Sequence, residues 1–96
     1  MLVLVMYDIA TKSTEGKRRL RRMERICSNW GICVQESVYE CEINAEQYRK
    51  LYKELETTIC REKDNIRIYL LGNHFQNKCI SIGKRKDEWD RQNFIL

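Results

Sequence analysis

Residues 2–8, Leu-Val-Leu-Val-Met-Tyr-Asp, constrain this chain more than any other stretch. Both parities are apolar, with Leu2, Leu4 and Met6 on one side and Val3, Val5 and Tyr7 on the other. A strand with one face in water alternates apolar and polar residues, so a strand of this kind is covered on both faces. With 96 residues there is room for one core, and residues 1–96 are read as a single domain. The rest of the sequence must therefore supply two covers for one small sheet.

The first cover is helical. Residues 14–30 read as a helix, with Ser13 or Thr14 able to cap its start and Gly31 following its end. Leu20, Met23, Cys27 and Trp30 recur at helical spacing, with Ile26 beside them. Asn44 and Gln47 form the sequence pattern of a capping box before a second helix, whose apolar stripe is Tyr48, Leu51, Tyr52, Leu55 and Ile59. Residues 32–43 are strand-like, with a bulge or break placed near Glu36–Ser37. Further strands are expected at 66–71 and 78–82, and the tail 93–96 is a short strand candidate. The order is strand, helix, strand, helix, strand, strand. Two amphipathic helices can cover one face of such a sheet. With no third helix in the sequence, the expected cover for the other face is a second copy of the chain, and a two-fold dimer is the commonest arrangement.

Charge is distributed unevenly. Lys and Arg outnumber Asp and Glu by 18 to 14, a net charge of +4. Between Lys12 and Arg25 there are seven basic residues and two acidic ones, whereas the remainder of the chain is close to neutral. Arg18, Arg21, Arg22 and Arg25 follow i, i+3, i+4, i+7 spacing, back to back with the apolar stripe of the same helix. Like-charge i,i+4 pairs cost a helix a few tenths of a kcal/mol each. A merely solvated face is better served by alternating signs, so the row points to a polyanion bound through its phosphates. Nothing in the row reads base edges, and it does not separate DNA from RNA. Arg19 is the misfit, falling on the edge of the apolar stripe.

Asp8 is the other residue that needs a reason, because it ends an apolar strand. One account is a turn in which its carboxylate accepts from the backbone two residues on. The other is a divalent-metal ligand, since Mg²⁺ takes one or two protein carboxylates and completes its shell with water and phosphate. A single Asp makes a poor site, whereas two Asp8 side chains meeting across a two-fold axis would make a plausible one. The remaining candidates are weaker. His74 is read as a loop residue, Glu40 and Glu42 as solvated residues of a sheet edge, and Ser37 lacks the context of a nucleophile. Tyr7, Tyr39 and Tyr69 belong to core or interface more readily than to base stacking. Five cysteines without a C-x-x-C pair, and with no export signal visible, are read as reduced thiols of a cytoplasmic protein. One histidine leaves zinc without ligands at any usual spacing. No stretch is long and apolar enough for a membrane span.

Taken together, Val5-Met6-Tyr7-Asp8-Ile9, the run Lys17-Arg18-Arg19-Leu20-Arg21-Arg22, and Val34-Gln35-Glu36-Ser37-Val38-Tyr39-Glu40-Cys41 resemble the CRISPR-associated protein 2 family. The resemblance continues through Arg67-Ile68-Tyr69-Leu70-Leu71-Gly72 and Ile82-Gly83. It implies an α+β, ferredoxin-like sandwich, an antiparallel sheet with two helices on one face, that forms a homodimer through its sheets. It implies that the tail, residues 84–96, adds to the partner subunit. It further implies a role in spacer acquisition, with the dimer binding double-stranded DNA and bridging the integrase, CRISPR-associated protein 1. Some members are Mg²⁺-dependent endonucleases acting on single-stranded RNA or double-stranded DNA. The metal-binding and catalytic aspartate of that activity falls on Asp8, and the family's Arg-x-Arg pair falls on Lys17 and Arg19. The nucleic-acid-binding set is then Lys17, Arg18, Arg19, Arg21, Arg22 and Arg25. Two positions depart from the family pattern: Cys33 stands where a basic residue is common, and Tyr39 where Phe is usual.

Overall fold

The computed structural model describes residues 1–74 and 77–84. Six elements follow in order: β1 (Leu2–Asp8), α1 (Thr14–Trp30), β2 (Ile32–Gln35), β3 (Val38–Glu42), α2 (Ala45–Thr58) and β4 (Asn65–Gly72). The strands form one antiparallel sheet in the order β2-β3-β1-β4. Both helices lie on one face, giving the ferredoxin-like arrangement that the sequence implies.

The caps explain where the helices begin. The Ser13 hydroxyl accepts from the Gly16 amide at 3.0 Å. At α2 the capping box is complete, the Asn44 side chain accepting from the Gln47 amide at 2.8 Å and the Gln47 side chain from the Asn44 amide at 2.9 Å. Each such cap contributes about 1 kcal/mol. Between sheet and helices, Val3, Val5 and Tyr7 of β1 meet Met23 and Cys27 of α1, Leu51 and Leu55 of α2, and Tyr39 and Cys41 of β3. Tyr7 and Tyr39 stack with ring centroids 6.1 Å apart and belong to this core. Leu4, Met6 and Asp8 point from the opposite face, opposite Val38 and Glu40 on β3 and Tyr69, Arg67 and Asn65 on β4. Ile32 and Tyr69 are exposed on that face, at 48% and 43%. Among the described residues no helix covers it, and residues 79–82 and Lys84 only border a groove on it with Leu4, Met6 and Val38.

Four expectations need correction. Residues 32–43 are a hairpin rather than one strand, because the chain reverses at Glu36–Ser37, with Ser37 at φ 62°. The reversal adds β2 outside β3, so Glu40 and Glu42 lie on an interior strand and not on an edge. Tyr52, assigned to the buried stripe of α2, is 46% exposed. It falls on the flank of the helix above β4, where the sheet ends. Residues 78–82 form no strand, and Ile80 and Ile82 are 84% and 95% exposed. Gly72, at φ 78°, turns the chain away from the line of β4, and among the described residues no strand lies beyond β4. The tail strand expected at 93–96 lies outside the described residues, as does all of the 84–96 tail except Lys84.

Candidate nucleic-acid interface and the Asp8 carboxylate

α1 turns its two stripes in opposite directions. Met23 and Cys27 are fully buried toward the sheet, while Lys17, Arg18, Arg21, Arg22 and Arg25 are exposed. None of these five cations has an ion-pair partner among the described residues. Arg22 and Arg25 also border a groove between the helices, whose other wall carries Thr57 and Thr58 of α2. The row is thus a linear array of unneutralised charge on the outside of the helical layer, the geometry a phosphate backbone requires.

Arg19 is placed differently from the other basic residues. Its Nε donates to Asp64 Oδ2 at 2.7 Å and its Nη2 to Asp64 Oδ1 at 3.3 Å. The position between stripes that made it a misfit in the sequence turns it toward the loop before β4. Its guanidinium is engaged within the fold, whereas the remaining members of the predicted set face solvent.

Asp64 was not legible as a site residue. It reads as one more charge in Arg61-Glu62-Lys63-Asp64, yet its side chain has no exposed surface. Besides Arg19 it accepts from the backbone amides of Ala10 and Cys60, each at 3.0 Å, so each carboxylate oxygen receives two donors. Burial alone would push this carboxyl up, but the Arg19 hydrogen bonds and the two amides outweigh it and hold it below the usual range. The one sequence signal was indirect: a cation on the edge of an apolar stripe requires a buried anion to meet it.

The contact with Ala10 also bears on Asp8. A turn built by Asp8 would use the Ala10 amide, and that amide donates to Asp64 instead. Asp8 is exposed at the end of β1, opposite Asn65, and its carboxylate enters no hydrogen bond or ion pair among the described residues. It is a free carboxylate on the uncovered face of the sheet, with the cationic row on the far side of the helical layer. Carboxylate oxygen is a suitable donor for a hard divalent cation. Among the described residues no three His, Cys, Asp or Glu side chains stand close enough to share an ion. One chain therefore offers one ligand, which fits Mg²⁺ as half of a carboxylate pair. Glu40 and His74 form no three-ligand group with Asp8, and Ser37 meets this end of β1 through its backbone, its carbonyl accepting from the Tyr7 amide at 3.1 Å. Cys27 and Cys41 are buried and their thiols are pushed up, to about 12 and about 11, by burial, which keeps them protonated and unreactive. All five cysteines are free. No helix among the described residues is long and apolar enough to cross a membrane.

A four-stranded antiparallel sheet, two helices on one face, an exposed carboxylate closing the first strand and a cationic first helix together define a small ferredoxin-like protein. The particular family follows from comparison with known proteins. Residues 1–79 match the model of the family described as CRISPR associated protein Cas2, and the chain belongs to that family. It is 45% identical over 85 residues to the CRISPR-associated endonuclease Cas2 of Halalkalibacterium halodurans, covering 88% of each chain. It is 40% identical over 85 residues to the CRISPR-associated endoribonuclease Cas2 of Nitratidesulfovibrio vulgaris, covering 88% of this chain and 83% of that one. Among solved structures, that of Streptococcus pyogenes Cas2 at pH 6.5 superimposes with a TM-score of 0.74 at 36% identity, covering 86% of this chain and all of that one.

Proposed function

We propose that the protein is a CRISPR adaptation component that binds duplex DNA as a homodimer and bridges CRISPR-associated protein 1 during spacer acquisition. The observation that carries the binding role is the row Lys17, Arg18, Arg21, Arg22 and Arg25, exposed and unpaired along one helix face. Phosphate contacts of this kind are independent of sequence and strongly weakened by salt. The homodimer is favoured by the apolar residues Leu4, Met6, Val34 and Val38 on the uncovered sheet face. The integrase partner is our reading of the family resemblance.

A second reading is favoured by Asp8, a free carboxylate whose alternative role in the turn is taken by Asp64. In this reading the protein is a phosphodiesterase, in line with the relatives named as an endonuclease and endoribonucleases. Asp8 of each subunit would hold Mg²⁺, which supplies charge neutralisation and an activated water at a phosphate. The chain's own contribution is to present the carboxylate at the end of β1, opposite Asn65.

The experiment is a gel titration of labelled duplex DNA and single-stranded RNA with Mg²⁺, using wild type, Asp8→Ala and the pair Arg18→Glu/Arg22→Glu. Retarded, intact DNA with wild type and with Asp8→Ala, lost on charge reversal, supports the adapter. Fragments with wild type and none with Asp8→Ala support the nuclease. Undiminished DNA binding by the charge-reversed protein overturns the role of the row.

A further inference from the structure

The loop after β1, the first helix and the α2–β4 connection meet at one buried carboxylate. Asp64 lies at the end of the turn that launches β4, and its neighbour Asn65 is the residue opposite Asp8. Its two oxygens receive Arg19 from the second turn of α1, the Cys60 amide from the start of the α2–β4 connection, and the Ala10 amide from the loop that leaves β1. The Cys60 carbonyl in turn accepts from the amides of Lys63 and Asp64 at 3.1 and 2.8 Å, which closes the turn around the carboxylate.

Ala10 is confined from its other side as well. A Cβ at Gly16 would collide with the Ala10 carbonyl oxygen, so the loop presses directly on the first turn of α1, and only glycine permits that approach. The Ala10 amide is thus fixed by Asp64 while its carbonyl abuts Gly16. Asp8 is two residues upstream, at the last position of β1 paired to β4. Beyond it the sheet supplies no further hydrogen bond, and a strand end without one frays.

We propose that Asp64, held by Arg19, is a positioning residue for Asp8: it fixes the Ala10 peptide and with it the direction in which the Asp8 carboxylate leaves the sheet. Arg19 thereby acts in the fold through Asp64 and not on a phosphate. A carboxylate meant to share an ion or a phosphate has to be held to about half an ångström, and packing alone does not fix a residue exposed at a strand end. The consequence for catalysis rests on the nuclease reading given above, whereas the consequence for the loop does not.

The test uses the full chain. Amide hydrogen exchange is followed by NMR at Ala10, with Val5 in the middle of β1 as reference, in wild type, Asp64→Ala, Asp64→Asn and Arg19→Lys. The expected result is an Ala10 exchange rate at least about tenfold faster relative to Val5 in Asp64→Ala, with shifted Asp8 resonances. Arg19→Lys keeps one charged donor and should fall between. If Asp64→Ala does not fold, Asp64→Asn decides, because its amide nitrogen cannot accept and the two donors on the replaced oxygen lose their acceptor. Unchanged Ala10 protection and unchanged Asp8 resonances in a folded variant overturn the proposal. In cleavage of labelled RNA, Asp64→Asn should lower kcat about tenfold or more at unchanged KM, whereas Arg21→Ala should act on KM. Wild-type kcat in Asp64→Asn alongside an inactive Asp8→Ala overturns the positioning role. Full activity in Asp8→Ala removes the nuclease reading and leaves the exchange measurement to decide the clamp.

Discussion

The Nε of Arg19 lies 2.7 Å from Asp64 Oδ2, joining the second turn of the sequence's most basic helix to the turn before β4. The partners are 45 residues apart, and the Asp64 side chain is wholly enclosed. An ion pair of this kind adds little over an apolar pair of the same shape, but removing one partner leaves a charge without compensation.

Asp64→Ala should accordingly destabilise the protein by about 3 kcal/mol, since four hydrogen bonds are lost together and the guanidinium is left without its anion. Urea denaturation at pH 7 measures it. Loss of less than about 1 kcal/mol would mean that water takes the place of the carboxylate.

The same pair makes stability acid-sensitive. The folded pKa of Asp64 is depressed below its unfolded value, so its stabilisation is fully present above that unfolded value, near 3.8, and is lost as pH falls through the folded one. Urea midpoints of wild type should decline as pH is taken from 5 toward about 2, and Asp64→Asn should lack that part of the decline. Parallel curves for the two proteins would show that other carboxyls carry the effect.

Each cation of the outer row should count once in the salt dependence. Replacing Arg21 by Ala should reduce the slope of log affinity for duplex DNA against log salt by about one, with little change in stability. Binding isotherms between about 50 and 200 mM salt suffice. A slope equal to that of wild type removes Arg21 from the interface.

Ser37 carries a left-handed backbone without being glycine. Ser37→Gly should stabilise the hairpin by about 0.5–1 kcal/mol, read from thermal or urea midpoints, whereas a β-branched replacement should destabilise it. A lower midpoint for the glycine variant would show that the gain in backbone freedom of the unfolded chain is the larger effect.

Thiol accessibility should divide by burial. Cys27 and Cys41, both fully enclosed, should react with a thiol reagent at neutral pH only after unfolding, whereas Cys60, partly exposed in the α2–β4 connection, should react in the native protein. Rapid labelling of Cys27 in folded protein would indicate opening between α1 and the sheet.

The sequence was most readable where local spacing and tertiary packing agree. Met23 and Cys27 recur at helical intervals and are buried, and Asn44 with Gln47 announces a cap that forms. The hairpin at Glu36–Ser37 was less visible because the reversal uses no glycine, asparagine or proline, and Ser37 adopts its conformation under the pull of the surrounding sheet, its carbonyl accepting from the Tyr7 amide at 3.1 Å. Tyr52 was misplaced because a period of 3.6 residues says which side chains share a face, not how far the sheet beneath extends. Asp8 and the outer arginines could be named from their own neighbours in the chain. Asp64 could not, since two of its three partners, Ala10 and Arg19, lie 54 and 45 residues away.

The opposed stripes of α1 also fix a length. Two copies joined through their uncovered sheet faces would stack as helix, sheet, sheet, helix, with layers about 10 Å apart and helices of about 5 Å radius outermost. Their arginine rows would then lie about 40 Å apart across the assembly, close to the rise of about twelve base pairs at 3.4 Å each. The thickness of the fold would itself act as a ruler, setting how much duplex separates one cationic row from the other.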